Sequence, residues 1–303
     1  MAGYARASQQ LIEKMKVGIL FNPASGKGHS PHVARELESF LSARGVTCRL
    51  LESSNTYDDS LLDYIRDLDV LIVAGGDGTL LPLLDPLAAT KTPVYMLPTG
   101  NESLFAREFS MTADFESVFK ALQANQVTTH HIGEINGTPF FTMASVGFDS
   151  CVIQEIASKR VGPIGHIGYI APSLKVLKSY KAPRLTISVD GKQVVDDREG
   201  FFVVSNNKQY ALKMFFNRDA VSTDEVLDAT FLPCKSFMSY FSWQLRHLMG
   251  SVNGSSSAVK CKGTNFKINS NEPYPVQIDG EYFGSTPVQV AISSNTIQVL
   301  EPT

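Results

Sequence analysis

The sequence predicts an α/β domain with a parallel sheet, followed by a mostly antiparallel β domain. Across residues 16–125, short apolar runs alternate with segments of helical periodicity, the pattern of a parallel sheet covered by helices. After about residue 130, short alternating runs are separated by Asn-Gly and Asp-Gly pairs, which are strong signals for two-residue β-hairpins. The change of pattern therefore predicts two domains of different class.

The first domain is expected to contain strands separated by helices. Short apolar runs predict strands at residues 17–21, 47–51, 70–74 and 93–97. A first helix is predicted to begin with Ser30 as N-cap and Pro31 at the first helical position. Further helices are predicted at residues 57–67, at residues 79–89 with interruptions near Pro82 and Pro86, and at residues 115–122. We assign residues 15–129 to this domain and residues 1–14 to an N-terminal extension.

The second domain is expected to consist of β-hairpins and two helices. The turns are predicted at Asn136-Gly137, Asp190-Gly191 and Asp279-Gly280, each flanked by apolar or β-branched residues. Helical periodicity appears at residues 165–179 and 236–249. This domain is predicted to span residues 130–291, and the tail at residues 292–303 is expected to return to the first domain.

Charge and cysteine usage limit the classes of function. The chain has 27 Lys and Arg against 30 Asp and Glu, so no global basic field indicates a nucleic acid partner. The four cysteines show no C-x-x-C spacing, which argues against a zinc site and a disulfide framework. Without a secretory signal or an apolar run of about 20 residues, the sequence predicts a cytoplasmic protein.

A glycine-rich motif containing one aspartate follows the third predicted strand. Gly75, Gly76, Gly78 and Thr79 surround Asp77 where the strand leads into a helix. Backbone N–H groups at such a turn can approach a ligand at the positive end of the helix, which suits a phosphate. The Asp77 carboxylate could hold Mg²⁺ or accept a hydrogen bond from a ribose. The alternative is a tight turn without a ligand.

A second glycine-rich segment follows the first predicted strand, at the same expected edge of the sheet. It runs from Asn22 through Ser25, Gly26 and Lys27 to Gly28. It is not a Walker A loop, because that motif requires Ser or Thr directly after Gly-Lys. The segment is either a solvated turn or a further contact to a phosphate.

These segments resemble the diacylglycerol kinase catalytic family and its bacterial lipid kinase relatives, which share a superfamily with sphingosine kinases and NAD kinases. The likeness begins with residues 21–26 and 75–79, continues through residues 98–107 and 146–149, and ends at residues 276–281. The Gly-Gly-Asp-Gly-Thr motif and the final Asp-Gly-Glu are its most specific parts.

The resemblance implies a Rossmann-like three-layer domain, a C-terminal β-sandwich-like domain, and ATP with Mg²⁺ in the cleft between them. Because the family's Asp-Gly-Glu supplies the general base, Asp279 is expected to deprotonate the acceptor, with Glu281 and Asp77 as further catalytic-site carboxylates. Gly100 and Asn101 join the two loops as candidate ATP contacts. Since Asp-Gly is also a preferred type I′ turn, Asp279 has the alternative role of a hairpin residue.

A candidate metal site lies in the second domain. Asp224 and Asp228 resemble the family's Asp-Gly-x-Leu-Asp segment, which holds a structural Mg²⁺ in the bacterial lipid kinases. The family glycine is replaced by Glu225, so a solvated acidic turn is the alternative.

The chain departs from the family pattern at polar positions. Asn101 replaces Thr, Ser103 replaces Asn, and Leu104 replaces an Asp of the Mg²⁺-linked carboxylate network. His131 stands where another Asp is usual, and residues 210–214 replace a Tyr-Gly-Gly-Gly-Met-like run. The loss of two carboxylates removes hard oxygen ligands, and the metal dependence and turnover of the protein depend on what replaces them.

The leading hypothesis is an ATP-dependent lipid kinase that phosphorylates a hydroxyl of diacylglycerol or a related lipid alcohol. A kinase of the NAD kinase type for a soluble acceptor would use the same loop, but the Thr-Pro-Thr-Gly-Ser-Thr-like run that it requires is absent from the second domain. A nucleotide-binding regulatory protein without turnover is a third hypothesis, and Leu104 and His131 motivate it.

The expected partner is a lipid substrate. The helix predicted at residues 236–249 places Phe237, Phe241, Leu245 and Leu248 on one stripe, which either packs in the core or lies at a bilayer interface. The sequence is compatible with transient peripheral contact at the inner membrane surface and with a homodimer.

Overall fold

The computed structural model describes residues 12, 14–53, 59–99, 103–159, 166–208, 217, 219–248 and 257–303. The chain divides into two compact units, residues 1–130 with 295–303 and residues 131–294. The predicted extension at residues 1–14 lies almost entirely outside the described residues. The predicted fold class is confirmed, with parallel strands in the first unit and a β-sandwich in the second.

The first unit is built on a parallel sheet. Its strands are β1 (Lys16–Phe21), β2 (Thr47–Glu52), β3 (Val70–Gly75) and β4 (Val94–Pro98). They pair in the order β4-β3-β1-β2, and the end of the last strand of the chain, β15 (Val288–Leu300), pairs in parallel with β4. Every residue of β3 is buried, as expected for a strand that is covered on both faces of a parallel sheet.

Helices connect these strands. They are α1 (Ser30–Ser42), α2 (Asp59–Arg66), α3 (Asp77–Leu80), α4 (Leu84–Thr90), α5 (Leu104–Glu108) and α6 (Phe115–Ala124). The prediction that Ser30 caps α1 is wrong, because His29 is the N-cap and Ser30 is the first helical residue. The buried Ser30 hydroxyl instead donates a hydrogen bond to the carbonyl oxygen of Ala74 at 2.6 Å. A buried hydroxyl needs a partner, and this carbonyl on β3 supplies it.

The two prolines near α4 have different effects. Around Pro82 the chain forms a 3₁₀ turn, Leu81–Leu83, which separates α3 from α4 as predicted. Pro86 lies in the first turn of α4 and does not interrupt it, contrary to the prediction. The N–H groups of a first helical turn have no intrahelical acceptor, so a proline costs no hydrogen bond there.

The second unit consists of two packed sheets. Its strands are β5 (Val127–Ile135, beginning in the first unit), β6 (Thr138–Phe140), β7 (Met143–Val146), β8 (Arg184–Val189), β9 (Lys192–Ser205), β10 (Leu227–Pro233), β11 (Val259–Gly263), β12 (Asn265–Ser270), β13 (Pro275–Ile278) and β14 (Glu281–Ser285). One sheet has the order β15-β12-β8-β9, and the other has the order β14-β13-β7-β9-β10-β11. The strand β9 belongs to both, because it pairs with β8 up to Glu199 and with β10 from Gly200 onward. Apolar side chains of the two sheets form one buried cluster.

All three predicted hairpins are confirmed. Asn136-Gly137 joins β5 to β6, Asp190-Gly191 joins β8 to β9, and Asp279-Gly280 joins β13 to β14. Both residues of each turn have positive φ, with 48° and 82° at Asp279 and Gly280. A type I′ turn requires this conformation.

Three α-helices interrupt the β structure in the described part of the second unit. They are α7 (Phe148–Ala157), α8 (Ile170–Ser179) and α9 (Phe237–Leu248). The last two were predicted, whereas α7 is missing from the sequence-based expectation of two helices. Its apolar residues do show helical spacing, because Phe148, Val152 and Ile156 recur every four residues and are buried.

The longest helix in the described part of the chain, α1, has 13 residues. A bilayer crossing takes about 20 residues. None of the described helices qualifies as a membrane-spanning segment.

Candidate functional site

The segment after β1 forms a tight turn. The side-chain oxygen of Asn22 accepts a hydrogen bond from the N–H of Ala24, and its carbonyl oxygen accepts one from Ser25, both at 2.9 Å. Gly26 has a φ of 58°, and a side chain at this position would collide with the carbonyl oxygen of Thr99. Position 26 therefore needs glycine both for its conformation and for the close approach of the segment after β4.

The segment after β3 meets this turn at the same edge of the sheet. The side-chain nitrogen of Asn22 donates to Oγ1 of Thr79 at 3.4 Å, and the N–H of Thr99 donates to the carbonyl oxygen of Gly75 at 3.1 Å. Thr79 is buried, whereas Gly78 is exposed. Within the described structure, no atom other than its chain neighbours and the backbone of its own helix lies within 4 Å of where a Cβ would be at Gly78. The two glycine-rich turns thus lie side by side, with open space beside Gly78.

The carboxylate of Asp77 ties the β3 turn to helix α5. It accepts hydrogen bonds from the hydroxyl of Ser103 at 3.0 Å, from the N–H of Leu104 at 2.7 Å and from the N–H of Phe105 at 3.2 Å. Backbone N–H groups in the first turn of a helix lack intrahelical acceptors, and a carboxylate is their strongest partner. At position 104, where the family has an aspartate, the backbone rather than the side chain therefore contacts Asp77.

The role of Ser103 was not expected from the sequence. It is the N-cap of α5, and its hydroxyl oxygen accepts the N–H of Ala106 at 3.1 Å while its proton goes to Asp77. A serine directly before the first helical residue is a known capping signal, because its hydroxyl can accept an N–H of the first turn. The helix α5 was not predicted, because its five residues are too few to show an apolar period, and so the cap at Ser103 was not predicted either.

Three predicted nucleotide contacts have no described side-chain position. Gly100 and Asn101 lie outside the described residues, and the side chain of Lys27 is not described. Residues 210–214, where the chain departs from the family pattern, also lie outside them.

The carboxylate of Asp279 accepts three backbone hydrogen bonds in the second unit. The N–H of Phe141 lies 2.9 Å from Oδ2, and the N–H groups of Thr142 and Met143 lie 2.9 and 3.0 Å from Oδ1. The N–H of Asp279 also donates to the carbonyl oxygen of Met143 at 3.0 Å. These bonds hold the hairpin tip against the start of β7 and orient the carboxylate.

Another aspartate in the same unit has the same geometry without any predicted chemical role. Asp190, also at the first position of an Asp-Gly turn, accepts the N–H of Thr264 at 3.1 Å and the N–H of Asn265 at 2.9 Å. The arrangement at Asp279 is therefore sufficient to explain a structural role for its carboxylate. A catalytic role needs a measurement that separates the two aspartates.

A chain of buried polar groups leads away from the Asp279 turn. The N–H of Gly280 donates to Oε1 of Gln277, whose nitrogen donates to the hydroxyl of Ser145 at 2.7 Å. The Ser145 hydroxyl donates in turn to Asp149 at 2.5 Å. Gln277 and Ser145 are 3% and 2% exposed, and neither was predicted as part of a site. Glu281, the first residue of β14, is half-buried beside this turn.

The candidate metal site at Asp224 and Asp228 contains two buried carboxylate oxygens without a hydrogen-bond partner among the described residues, Oδ1 of Asp224 and Oδ2 of Asp228. Nζ of Lys262 lies 3.1 Å from Oδ2 of Asp228, as an ion pair without hydrogen-bond geometry. Burial raises the pKa of Asp228, and Lys262 opposes this shift. No group of three or more His, Cys, Asp or Glu in the described residues is arranged to hold a metal. The site therefore offers two hard oxygens and one competing ammonium group.

The two adjacent histidines have different environments. His130 is fully buried, and its ring lies 5.5 Å from that of Phe105 and 5.7 Å from that of Phe109. His131 is half-buried, and its backbone pairs with Ser222 and with the side chain of Asn206. The His130 imidazole thus packs among aromatic rings of the first unit, whereas His131 belongs to the second unit.

Comparison with known proteins gives the family. Residues 16–135 match the model described as diacylglycerol kinase catalytic domain, and residues 142–301 match the YegS C-terminal NAD kinase beta sandwich-like domain. A diacylglycerol kinase of Bacillus subtilis strain 168 is 25% identical over 296 residues, covering 94% of this chain and 95% of that protein. A diacylglycerol kinase of Mycobacterium tuberculosis strain H37Rv is 25% identical over 305 residues, with 95% of both chains covered.

A solved structure shares the fold. The crystal structure of a diacylglycerol kinase from Bacillus anthracis strain Sterne superposes with a TM-score of 0.73 at 21% identity, covering 95% of this chain and 97% of that one. Since the two family models together span nearly all of residues 16–301, and the turns that carry the motifs have formed, this chain belongs to the diacylglycerol kinase catalytic family and is a kinase, an ATP-dependent phosphotransferase.

Proposed function

We propose that the protein transfers the γ-phosphate of ATP to a hydroxyl group of diacylglycerol or a related lipid alcohol. The observation that carries the proposal is the paired glycine-rich turns at the carboxyl edge of the sheet, with open space at Gly78, in a chain that matches this kinase family over nearly its whole length. The relatives named diacylglycerol kinase make diacylglycerol the first acceptor to test.

The nucleotide is proposed to bind with its phosphates at these turns. Backbone N–H groups near a glycine without a side chain can approach phosphate oxygens closely. The residues assigned to this role are Asn22, Ser25, Gly26, Lys27, Gly75, Gly76, Gly78, Thr79, Gly100 and Asn101. ATP supplies the phosphoryl group, and the protein positions it and offsets its charge.

A carboxylate of the Asp279–Glu281 hairpin is proposed to accept the proton of the lipid hydroxyl. The hydroxyl oxygen then attacks the γ-phosphorus, the bond to the bridging oxygen breaks, and ADP leaves. Asp279 is the residue expected from the motif. The three N–H groups that donate to its carboxylate stabilise the ionised form, and a carboxylate that is stabilised in this way is a weaker proton acceptor. Glu281 is therefore the second candidate for the proton acceptor.

Magnesium is proposed to bind at Asp224 and Asp228. Oδ1 of Asp224 and Oδ2 of Asp228 are buried carboxylate oxygens of the kind that a hard cation prefers, and at Asp228 the cation would replace the ammonium group of Lys262. When bound, Mg²⁺ would supply positive charge that offsets these carboxylates. At the nucleotide turns, Leu104 offers no oxygen ligand, so the Mg²⁺ that accompanies ATP would depend on phosphate oxygens and on Asp77.

Addition of millimolar Mg²⁺ is expected to raise the thermal midpoint of the nucleotide-free protein, because a ligand that binds the folded state stabilises it. For a chain of this size the rise amounts to about 2–4 °C for each kcal/mol of binding free energy. The variant Asp228→Asn should lose the effect, and Asp196→Asn, which changes an exposed carboxylate on β9, should retain it. An unchanged midpoint in the wild type would exclude the metal site.

Transfer of labelled phosphate tests the function directly. The protein is incubated with γ-labelled ATP, Mg²⁺ and mixed micelles that contain diacylglycerol, monoacylglycerol, sphingosine or ceramide, and NAD serves as the soluble acceptor. We expect label in diacylglycerol or a related alcohol. Bound nucleotide without transfer to any acceptor would instead establish the regulatory function that the leucine at position 104 suggests, and label in NAD would establish a soluble acceptor.

A further inference from the structure

Helix α9 has one buried face and one exposed apolar face. Tyr240 and Trp243 are 7% and 5% exposed, and the ring of Tyr240 lies 5.3 Å from that of Phe148. Met238, Phe241 and Leu245 are 70%, 44% and 43% exposed and recur at the spacing of one helix face. The stripe predicted from the sequence is therefore divided. Phe237 packs against Phe148, Phe241 and Leu245 face outward, and the side chain of Leu248 is not described.

Helix α8 has a second exposed apolar face. Ile170 and Leu174, one helical turn apart, are 57% and 56% exposed, and Tyr169 precedes them at 37%. Val176, on the opposite side of this helix, is buried. Nine large hydrophobic side chains are exposed among the described residues; five of them lie on these two helices, and a sixth, Tyr169, is the N-cap of α8. We call these six residues the apolar patch: Tyr169, Ile170, Leu174, Met238, Phe241 and Leu245.

The two helices are neighbours of the same residue. The ring of Phe148, the first residue of α7, lies 5.2 Å from Tyr180 at the end of α8 and 4.9 Å from Phe237 at the start of α9. Lys175 of α8 is also paired with Glu155 of α7 at 2.8 Å. Both helices that carry the patch thus pack against α7 within the second unit.

The two chain segments that carry the patch contain basic but no acidic residues, and an acidic group paired with them is Glu155 of α7, at Lys175. Residues 166–181 and 235–248 contain no Asp or Glu, although the whole chain has 30 of them. The same segments contain five Lys and Arg residues, and Lys178, Lys181 and Lys235 are exposed. Exposed apolar side chains on segments that carry lysines but no acidic residues are typical of helices that bind the interface of an anionic membrane.

We propose that the apolar patch and its flanking lysines dock the protein on an anionic lipid bilayer. The apolar side chains would enter the acyl boundary, and the lysine ammonium groups would lie at the level of the anionic headgroups. A protein partner would not require both segments to be free of acidic residues, so the charge pattern favours the bilayer. As the docking step of a lipid kinase the inference rests on the proposed function, but binding to a bilayer is measurable without turnover.

Vesicle sedimentation without nucleotide or diacylglycerol tests the proposal. The full chain is mixed with vesicles of phosphatidylcholine alone or with about one third phosphatidylglycerol. We expect binding to the anionic vesicles that weakens as salt screens the headgroups. The double variants Phe241→Ser with Leu245→Ser and Ile170→Ser with Leu174→Ser are each designed to remove one part of the patch, and at least one should lower the affinity by about tenfold or more.

Val221→Ser is the matched control, because Val221 is 40% exposed in the same unit but outside the patch. Circular dichroism melting curves verify that each variant folds. Wild-type binding that neither double variant reduces, or no binding to anionic vesicles, would overturn the proposal. A concentration-dependent dimer that the variants abolish, without vesicle binding, would also overturn it by assigning the patch to a second copy of the chain.

Failure of docking and failure of the proposed function are distinguishable. If the protein binds vesicles but phosphorylates no lipid, the docking proposal stands and the proposed lipid kinase activity is excluded. Conversely, if docking is the role of the patch, its variants should phosphorylate a water-soluble short-chain diacylglycerol at the wild-type rate. They should lose activity only on diacylglycerol that is embedded in vesicles. Equal loss on both substrates would overturn the docking role.

Discussion

Replacing Asp279 with asparagine is expected to lower the rate of lipid phosphorylation by about 10²–10⁴-fold, the range for loss of a general base. The effect follows whether Asp279 takes the proton itself or orients the hairpin that carries Glu281. An amide has one acceptor oxygen and a donor nitrogen, so it cannot accept all three N–H groups of residues 141–143. Initial rates with γ-labelled ATP and diacylglycerol, beside ATP binding by calorimetry, measure the change.

Asp190→Asn is the matched control for this experiment. It changes the same residue type in the same type of turn and removes similar hydrogen bonds to residues 264 and 265. Both variants are expected to lower the thermal midpoint, and Asp279→Asn alone should lose phosphoryl transfer. If Asp279→Asn phosphorylates lipid as fast as Asp190→Asn and the wild type do, Asp279 is a hairpin residue without a part in the reaction.

Glu281→Gln separates the two carboxylates of the hairpin. If Glu281 is the base, this variant transfers phosphate about 10²–10⁴-fold more slowly, and its residual rate no longer falls at acidic pH. If Asp279 is the base, the fall at acidic pH remains in Glu281→Gln. In either case the nucleotide affinity should stay close to that of the wild type, because the change concerns the acceptor proton.

Replacing Asp77 with asparagine is expected to weaken ATP binding at least about tenfold and to destabilise the fold by about 1–3 kcal/mol, the cost of leaving buried donors unsatisfied. The carboxylate holds Ser103 and the N–H groups of Leu104 and Phe105, so its loss frees α5 from the turn that is proposed to bind phosphate. Calorimetry with a non-hydrolysable ATP analogue and thermal melting give the two quantities.

A second aspartate in the first unit provides the comparison. Asp114 is the N-cap of α6 and accepts the N–H of Ser117 at 2.8 Å. Asp114→Asn therefore removes a carboxylate charge from a helix N-terminus in the same unit, where asparagine can still cap, without touching the glycine-rich turns. If Asp77→Asn binds the nucleotide as tightly as Asp114→Asn, the turns after β1 and β3 are not the nucleotide site.

The amino-acid sequence by itself determined the elements whose conformation depends on residues adjacent in the sequence. The buried runs of β1 and β3, the three Asx-Gly hairpins and the helices α8 and α9 follow from apolar period and from the turn preferences of adjacent residues. The glycine-rich turns were also placed correctly at one sheet edge, because carboxyl ends of parallel strands coincide. The chemical roles of their residues stay predictions.

Only the tertiary structure decided which groups these residues contact. The hydrogen-bond partners of Asp77 are separated from it by 26 to 28 positions in the sequence, and those of Asp279 by 136 to 138 positions. No local pattern therefore contains either set of partners. The hydrogen bond from the Ser30 hydroxyl to Ala74 of β3 and the exposure of the outward face of α9 are likewise visible only in the folded structure. Hydrogen bonding and burial of a side chain depend on what folding brings beside it, whereas turn type and strand period depend on the local backbone.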